Sequence, residues 1–209
     1  MKEKYVRVAM SLIGVVVVGL SVGLFKHSAF GTDPFQVFVA GLDNVIPLSF
    51  SIVYIIVNAV LLAVIFAINR RYVGIATLLN LFFLGYIVEF SYASLQVLLP
   101  DPVLWVRIVL LITGFTVLCL AAAFYITADL GVSTYDAISL IMADKKVARF
   151  RFCRIATDIT CVIVGFLLSV EIGVGTVMTA FLMGPFIAFF RNHITEPILQ
   201  KVSGVKTLV

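Results

Sequence analysis

The chain has 209 residues, 62% of them hydrophobic and only 12% charged, and its formal net charge is +4. A soluble domain is about half apolar and about a quarter charged, so the composition excludes a soluble globular protein and indicates an integral membrane protein. The basic residues flank apolar segments, as they do in cytoplasmic loops, which argues against a nucleic-acid partner.

The opening stretch MKEKYVRVAMSLIGVVVVGLSVGLF has a basic start and an apolar run of about twenty residues without a small-x-small cleavage site, so it is expected to stay as a first spanning helix. GTDPFQ follows at 31–36. Thr32 or Asp33 suits an N-cap and Pro34 the first helical position, where a missing N–H costs nothing. The helix this opens, Pro34 to Ile46, is bracketed by prolines at 34 and 47. Spanning segments are then expected at Phe50 to Asn69, Gly74 to Val97 and Leu104 to Thr127. GVSTYD at 131–136 repeats the earlier punctuation, with Ser133 as cap, and opens a second short run, Thr134 to Ala143. Two last spans are expected at Phe150 to Val170 and Val174 to Arg191. A run of thirteen residues makes a helix of only about 20 Å, too short for about 30 Å of hydrocarbon. Each short run therefore reads as a half-helix, re-entrant or interfacial.

The chain is a duplication. Laying Val6 to Gly31 over Val106 to Gly131 pairs Arg7 with Arg107, Gly14 with Gly114 and Gly31 with Gly131. The register carries Asn58 onto Asp158, and after a one-residue slip it sets GIATLLNLFFLG (Gly74 to Gly85) over GVGTVMTAFLMG (Gly173 to Gly184). The expected fold class is an all-α polytopic membrane protein of two inverted repeats, each with three transmembrane helices and one half-helix. Residues 1–100 form the first repeat, 101–195 the second, and 196–209 a short cytoplasmic tail. With both termini cytoplasmic, all basic residues but Lys26 and Arg107 fall inside. An eight-span parallel arrangement is the alternative.

Polar residues inside the apolar segments are the candidate site. Asp158 lies about eight residues into its segment, where an acid costs about 2.5–3.5 kcal/mol on insertion scales. Arg154 lies one turn earlier, so Asp158 is either half of a local pair or part of a site. Asn58, its repeat mate, favours a site. The caps at Asp33 and Ser133 either close their helices only, or aim two half-helix N-termini at a ligand. The candidate ligand-binding residues are Asp33, Asn58, Asn80, Ser133, Thr134, Asp136, Arg154 and Asp158. Glu89 and Arg107 are expected to pair between helices. Arg7 is expected to snorkel to the inner face. The glycine series reads as close helix packing. His27 and His193 are solitary near segment ends. Cys119, Cys153 and Cys161 lack CxxC or His spacing, so no metal is expected.

The G-x-D-P pattern, the GxxT-x-x-N-x-x-x-x-G block and their copies resemble the YczE/YitT-like group of small bacterial inner-membrane proteins. The resemblance rests on Gly31, Asp33, Pro34, Gly41, Leu42, Gly74, Thr77, Asn80 and Gly85, and in the second half on Gly131, Tyr135, Asp136, Asp158, Gly173, Gly175, Thr176 and Gly184. Ala76 departs from the usual Gly-Thr of this block. The YitT branch adds a soluble C-terminal domain, so the chain looks closer to the YczE-like branch. That group has no settled activity, so the resemblance implies a fold and a bacterial inner-membrane location rather than a substrate.

The expected function is a small transporter or channel for a polar solute or ion, with its site at the repeat interface. A non-transporting assembly or regulatory partner is the alternative. No HExxH, GxSxG or ATP-binding motif is present, so neither an enzyme nor a cofactor is expected. The expected partners are membrane lipid and a polar small solute or ion, with a homo-oligomer or a partner membrane protein left open.

Overall fold

The computed structural model describes residues 2–48 and 50–203. These residues form nine α-helices and no strand: α1 Lys2–Ser28, α2 Pro34–Val45, α3 Phe50–Ile68, α4 Ile75–Leu98, α5 Leu104–Ala128, α6 Thr134–Asp144, α7 Phe150–Leu167, α8 Val174–Phe190 and α9 Glu196–Ser203. A 3₁₀ turn, Arg70–Tyr72, joins α3 to α4, and a π-helical turn, Arg191–Thr195, joins α8 to α9. Among the described residues, four helical stretches are long and apolar enough to cross a membrane, Lys4–Ser28, Ile75–Leu98, Leu104–Ala128 and Val174–Val202, and Ile52–Ile68 is a shorter apolar helix. Their outer faces carry exposed Ile13, Val16, Phe82, Phe83, Val109, Ile112 and Phe181. An apolar belt of this extent is stable only against lipid.

Local chemistry sets the helix ends. The Asp33 carboxylate accepts from the N–H groups of Phe35 and Gln36 at 3.1 and 3.2 Å, with Pro34 next in the first turn. Ser133 accepts from Asp136 N–H at 3.1 Å and donates to Asp136 Oδ2 at 2.7 Å, so cap and first turn hold each other. The helix α7 stops short of the expected Val170. There Ser169 takes a left-handed φ of 65° and Val170 N–H bonds back to Gly165 O at 3.0 Å, closing the last turn. Residues 196–203, read from the sequence as the start of a tail, form α9, and Leu199 is buried against Met10 and Ala128. Residues 204–209 of that expected tail lie outside the described residues.

Positions matched in the sequence make reciprocal contacts. A Cβ on Gly14 would meet Tyr125 N at 2.9 Å and Ala121 O at 3.0 Å, while one on Gly114 would meet Phe25 N at 3.1 Å and Ser21 O at 3.2 Å. As α1 runs from Gly14 to Phe25, its contacts on α5 run from Tyr125 back to Gly114. The two helices are therefore antiparallel, and glycine lets their backbones touch. Their ends agree. Arg7 Nη1 donates to Ala128 O at 3.2 Å, and Arg107 Nε donates to Ser28 O at 2.8 Å. Each arginine thus satisfies the orphan carbonyls at the other helix's C-terminus.

The same exchange joins the loops to the distant helix starts. Ala29 and Asp129 end their helices at φ 55° and 53°, and Gly31 and Gly131 follow at 113° and 98°. Ala76 N–H bonds Leu130 O at 3.1 Å, and Gly175 N–H bonds Phe30 O at 2.8 Å. The Thr77 hydroxyl reaches Val132 O at 2.8 Å, and the Thr176 hydroxyl reaches Thr32 O at 2.6 Å. Gly173 and Gly74 permit the approach: a Cβ at either would lie 1.9 or 2.2 Å from Phe30 O or Leu130 O.

The structure corrects one charge assignment. Arg107 does not pair with Glu89. Its Nε and Nη2 go to the carbonyls of Ser28 and Ala29, at 2.8 and 3.0 Å, and it stacks on Phe30. The free carbonyls of a helix end lie closer to Arg107 than a carboxylate on α4 does. Arg7 Nη1 is held by Ala128 O at 3.2 Å.

Candidate functional site

The first turns of α2 and α6 meet head to head, where Phe35 and Tyr135, matched positions of the two copies, stack with ring centroids 4.9 Å apart. Beside them α7 brings Arg154, whose side chain is 3% exposed. Its Nε donates to Asp158 Oδ2 at 3.2 Å, its Nη1 to Asp136 Oδ1 and its Nη2 to Met183 Sδ at 3.5 Å. The guanidinium carbon lies 4.5 Å from the centre of the Tyr135 ring. The Tyr135 hydroxyl donates to the other Asp158 oxygen at 2.6 Å. Asp158 is fully buried, with both oxygens engaged. A buried ion pair survives only with such additional hydrogen bonds.

Across from this knot, the Thr134 hydroxyl donates to Asn58 Oδ1 at 2.6 Å, and Asn58 Nδ2 donates to Tyr54 O on its own helix at 2.8 Å. Asn58 therefore ties α3 to the start of α6. Asn80 on α4 is buried and donates Nδ2 to Ala76 O at 3.2 Å.

A cavity of about 500 Å³ opens between α1, α3 and α4 and reaches the meeting point of the short helices. Asp33, Asn58, Asn80, Ser133, Thr134, Asp136 and Arg154 all line it. Asp158 does not: it lies behind Arg154 and Tyr135, so of its two sequence readings, half of a local pair or part of a site, the structure shows the pair with Arg154 and leaves Asp158 off the cavity wall. Further lining residues are Tyr54, Gln36, Lys26, Glu89 and Tyr135. Sequence reasoning did not assign them to the site, although one signal existed for Tyr54: it is the repeat mate of Arg154. The size matches a pocket for a small organic solute.

The two halves differ here. The helix α7 packs along α8, whereas α3 barely touches α4. A Cβ on Gly184 would meet Arg151 O at 2.9 Å and Arg154 Cβ at 3.1 Å, but one on Gly85, its mate, would find no atom within 4 Å. The cavity is the space left where α3 stands off from α4.

Three relatives match most of the chain. It is 25% identical over 195 residues to an uncharacterised protein of Haemophilus influenzae, covering 92% of this chain and 87% of that one. It is 21% identical over 189 residues to the uncharacterised protein YyaS of Bacillus subtilis, covering 90% and 94%. It is 23% identical over 190 residues to the uncharacterised membrane protein YczE of Bacillus subtilis, covering 90% and 86%. These agree with the YczE-like resemblance and with a membrane protein. A family of unknown function, DUF6198, matches residues 5–192. No solved structure matches the chain.

Proposed function

We propose that this chain, which belongs to the family of unknown function DUF6198, is an inner-membrane carrier of a small polar solute, working by alternating access between two inverted repeats. Reciprocal contacts support the two-fold relation, because matched surfaces that exchange partners are what such an axis produces. The antiparallel crossing of α1 and α5 supports inversion: if both span, an axis relating them lies in the membrane plane. In that arrangement α1, α3, α4, α5, α7 and α8 span, α2 and α6 re-enter, and both termini face the cytoplasm. The absence of any nucleophile or ATP-binding motif in the sequence favours a carrier that is passive or ion-coupled over an enzyme.

The observation that carries the reading is the contrast between Gly85 and Gly184. One repeat holds its α7–α8 seam shut while the other holds its α3–α4 seam open onto the cavity. Exchanging the two conformations closes α3 on α4 and frees α7 from α8, which presents the same site to the other side.

A disulfide trap tests this. In the shut seam, Arg154 Cβ lies 3.1 Å from where a Gly184 Cβ would be. The mates Tyr54 and Gly85 reach comparable separation only if α3 closes, and a disulfide needs Cβ atoms about 3.5–4.5 Å apart. In a protein whose native cysteines are replaced by alanine, a Tyr54→Cys/Gly85→Cys pair is expected to cross-link in membranes under mild oxidant. A pair that never cross-links contradicts alternating access and leaves a static scaffold, an assembly or regulatory partner, in its place.

A further inference from the structure

We infer that the ligand of the cavity is a protonated primary amine: an organic cation carrying N–H donors, of a size that fits about 500 Å³. The inference rests on the proposed carrier reading and names its substrate class.

Charge balance is the first support. Arg154 meets two carboxylates directly, Asp136 and Asp158. Asp33, on the same cavity wall, adds a third. The N-termini of α2 and α6 each contribute the equivalent of roughly half a positive charge where they converge. With all three carboxylates ionised, the guanidinium and the two helix ends fall short of them by about one unit. At the rim, Lys26 and Glu89 offset each other, and the Lys26 ammonium is held 4.8 Å over the Tyr92 ring. An isolated excess charge in a low-dielectric site is costly, and one monovalent cation removes it.

The unmatched hydrogen-bond groups are a second, independent support. Asn80 is 8% exposed and lies on the cavity wall. Its neighbour Ala76 O can only accept, so the atom facing it at 3.2 Å must be Nδ2, and Oδ1 is turned the other way. That Oδ1 has no donor among the described residues. Asp33 spends Oδ1 on two backbone N–H groups, and its Oδ2 likewise has no donor among them. Both are acceptors that the donors on the same wall, Lys26, Gln36 and Tyr125, do not reach, so a ligand seated beside Asp33 and Asn80 has to bring the donor. A bare alkali ion would not need such a volume, and a quaternary ammonium would leave both acceptors without a hydrogen. The aromatic wall formed by Phe35, Tyr54 and Tyr125 suits the alkyl part and the charge of an amine.

The test uses the full chain in lipid nanodiscs, with calorimetric titration of four probes of similar size: n-butylammonium, tetramethylammonium, butyrate and 1-butanol. The expected result is that n-butylammonium binds more tightly than the other three. Asp33→Asn keeps the helix cap, since asparagine caps as well as aspartate. It and Asn80→Ala are each expected to weaken n-butylammonium binding by about tenfold or more, the cost of a hydrogen bond to a charged group. Asn80→Asp, which keeps an acceptor and adds charge, is expected to bind n-butylammonium at least as well as the parent, so a poorly folded alanine variant cannot decide the matter alone. Butyrate or 1-butanol binding as tightly as n-butylammonium overturns the cationic class while leaving a ligand cavity. Tetramethylammonium binding as tightly overturns the requirement for N–H donors. If no probe binds while the Tyr54→Cys/Gly85→Cys disulfide still forms, the amine inference falls and the carrier reading stands. If neither is seen, both fall.

Discussion

Arg154 and Asp158, one turn apart on α7, pair at 3.2 Å in the interior, and the same guanidinium holds Asp136 on α6. The pair is therefore a joint between two helices as well as a local contact. Replacing Arg154 by Met strands two carboxylates in a buried site and is expected to cost about 3–5 kcal/mol. The double variant Arg154→Met/Asp158→Asn removes one of the stranded charges and should recover part of that loss. Thermal unfolding in nanodiscs measures it, and equal stability of the single and double variants would contradict the arrangement.

The glycines at the helix crossings are expected to separate into two classes. Gly184→Ala pushes a methyl against Arg151 O at 2.9 Å, an overpacking that should cost about 1–3 kcal/mol. Gly85→Ala meets nothing within 4 Å and gains helix propensity, so stability should be unchanged or higher by up to about 1 kcal/mol. Comparing the two melting temperatures is enough. A Gly85→Ala protein as impaired as Gly184→Ala would mean that the α3–α4 gap is closed in the membrane.

Topology is open to labelling. With the native cysteines replaced, an impermeant maleimide added outside cells should modify cysteine at Asp43 and at Asp101, and should leave cysteine at Arg70 and at Lys145 untouched. Modification at position 70 from outside would rule out inverted repeats with cytoplasmic termini and favour eight parallel spans.

Tyr72, in the turn between α3 and α4, donates its hydroxyl to Asp144 Oδ2 at 2.6 Å, joining that turn to the end of α6. Burial first, and then the hydrogen bond to Asp144, raise the phenol above its ordinary value. The folded state thus holds this proton more tightly than the unfolded chain does. The resulting stability is fully present below about pH 10, the unfolded value, and fades as pH rises toward the folded one. Tyr72→Phe should cost about 1.5–3 kcal/mol at neutral pH, as loss of a hydrogen bond to a charged group does. It should also remove this alkaline component from a pH series of melting temperatures. A Tyr72→Phe protein with the parent's stability and alkaline profile would exclude the contact.

The starts of the two short helices were legible in the sequence because their causes are local. Pro34 after Asp33, Ser133 before Thr134 and a run of apolar residues each act within one turn, and α2 and α6 begin where those residues place them. The pairing of Arg7 with Arg107 and of Gly31 with Gly131 was legible too, since the two stretches need only be aligned, and the members of each pair make matching contacts. Which charges meet was legible only for Arg154 and Asp158, one turn apart on the same helix. Arg107 chose helix-end carbonyls over Glu89, and Tyr135 with Arg154 withdrew Asp158 from the cavity, because a buried charge takes the partner that a neighbouring element carries to it. Nor does the alignment say that Gly85 and Gly184, which it pairs, face empty space and packed backbone respectively. Aligned segments of similar apolar character have similar helical preferences. Only the packing of the whole bundle, in which one seam closes while its mate stands open, decides between them.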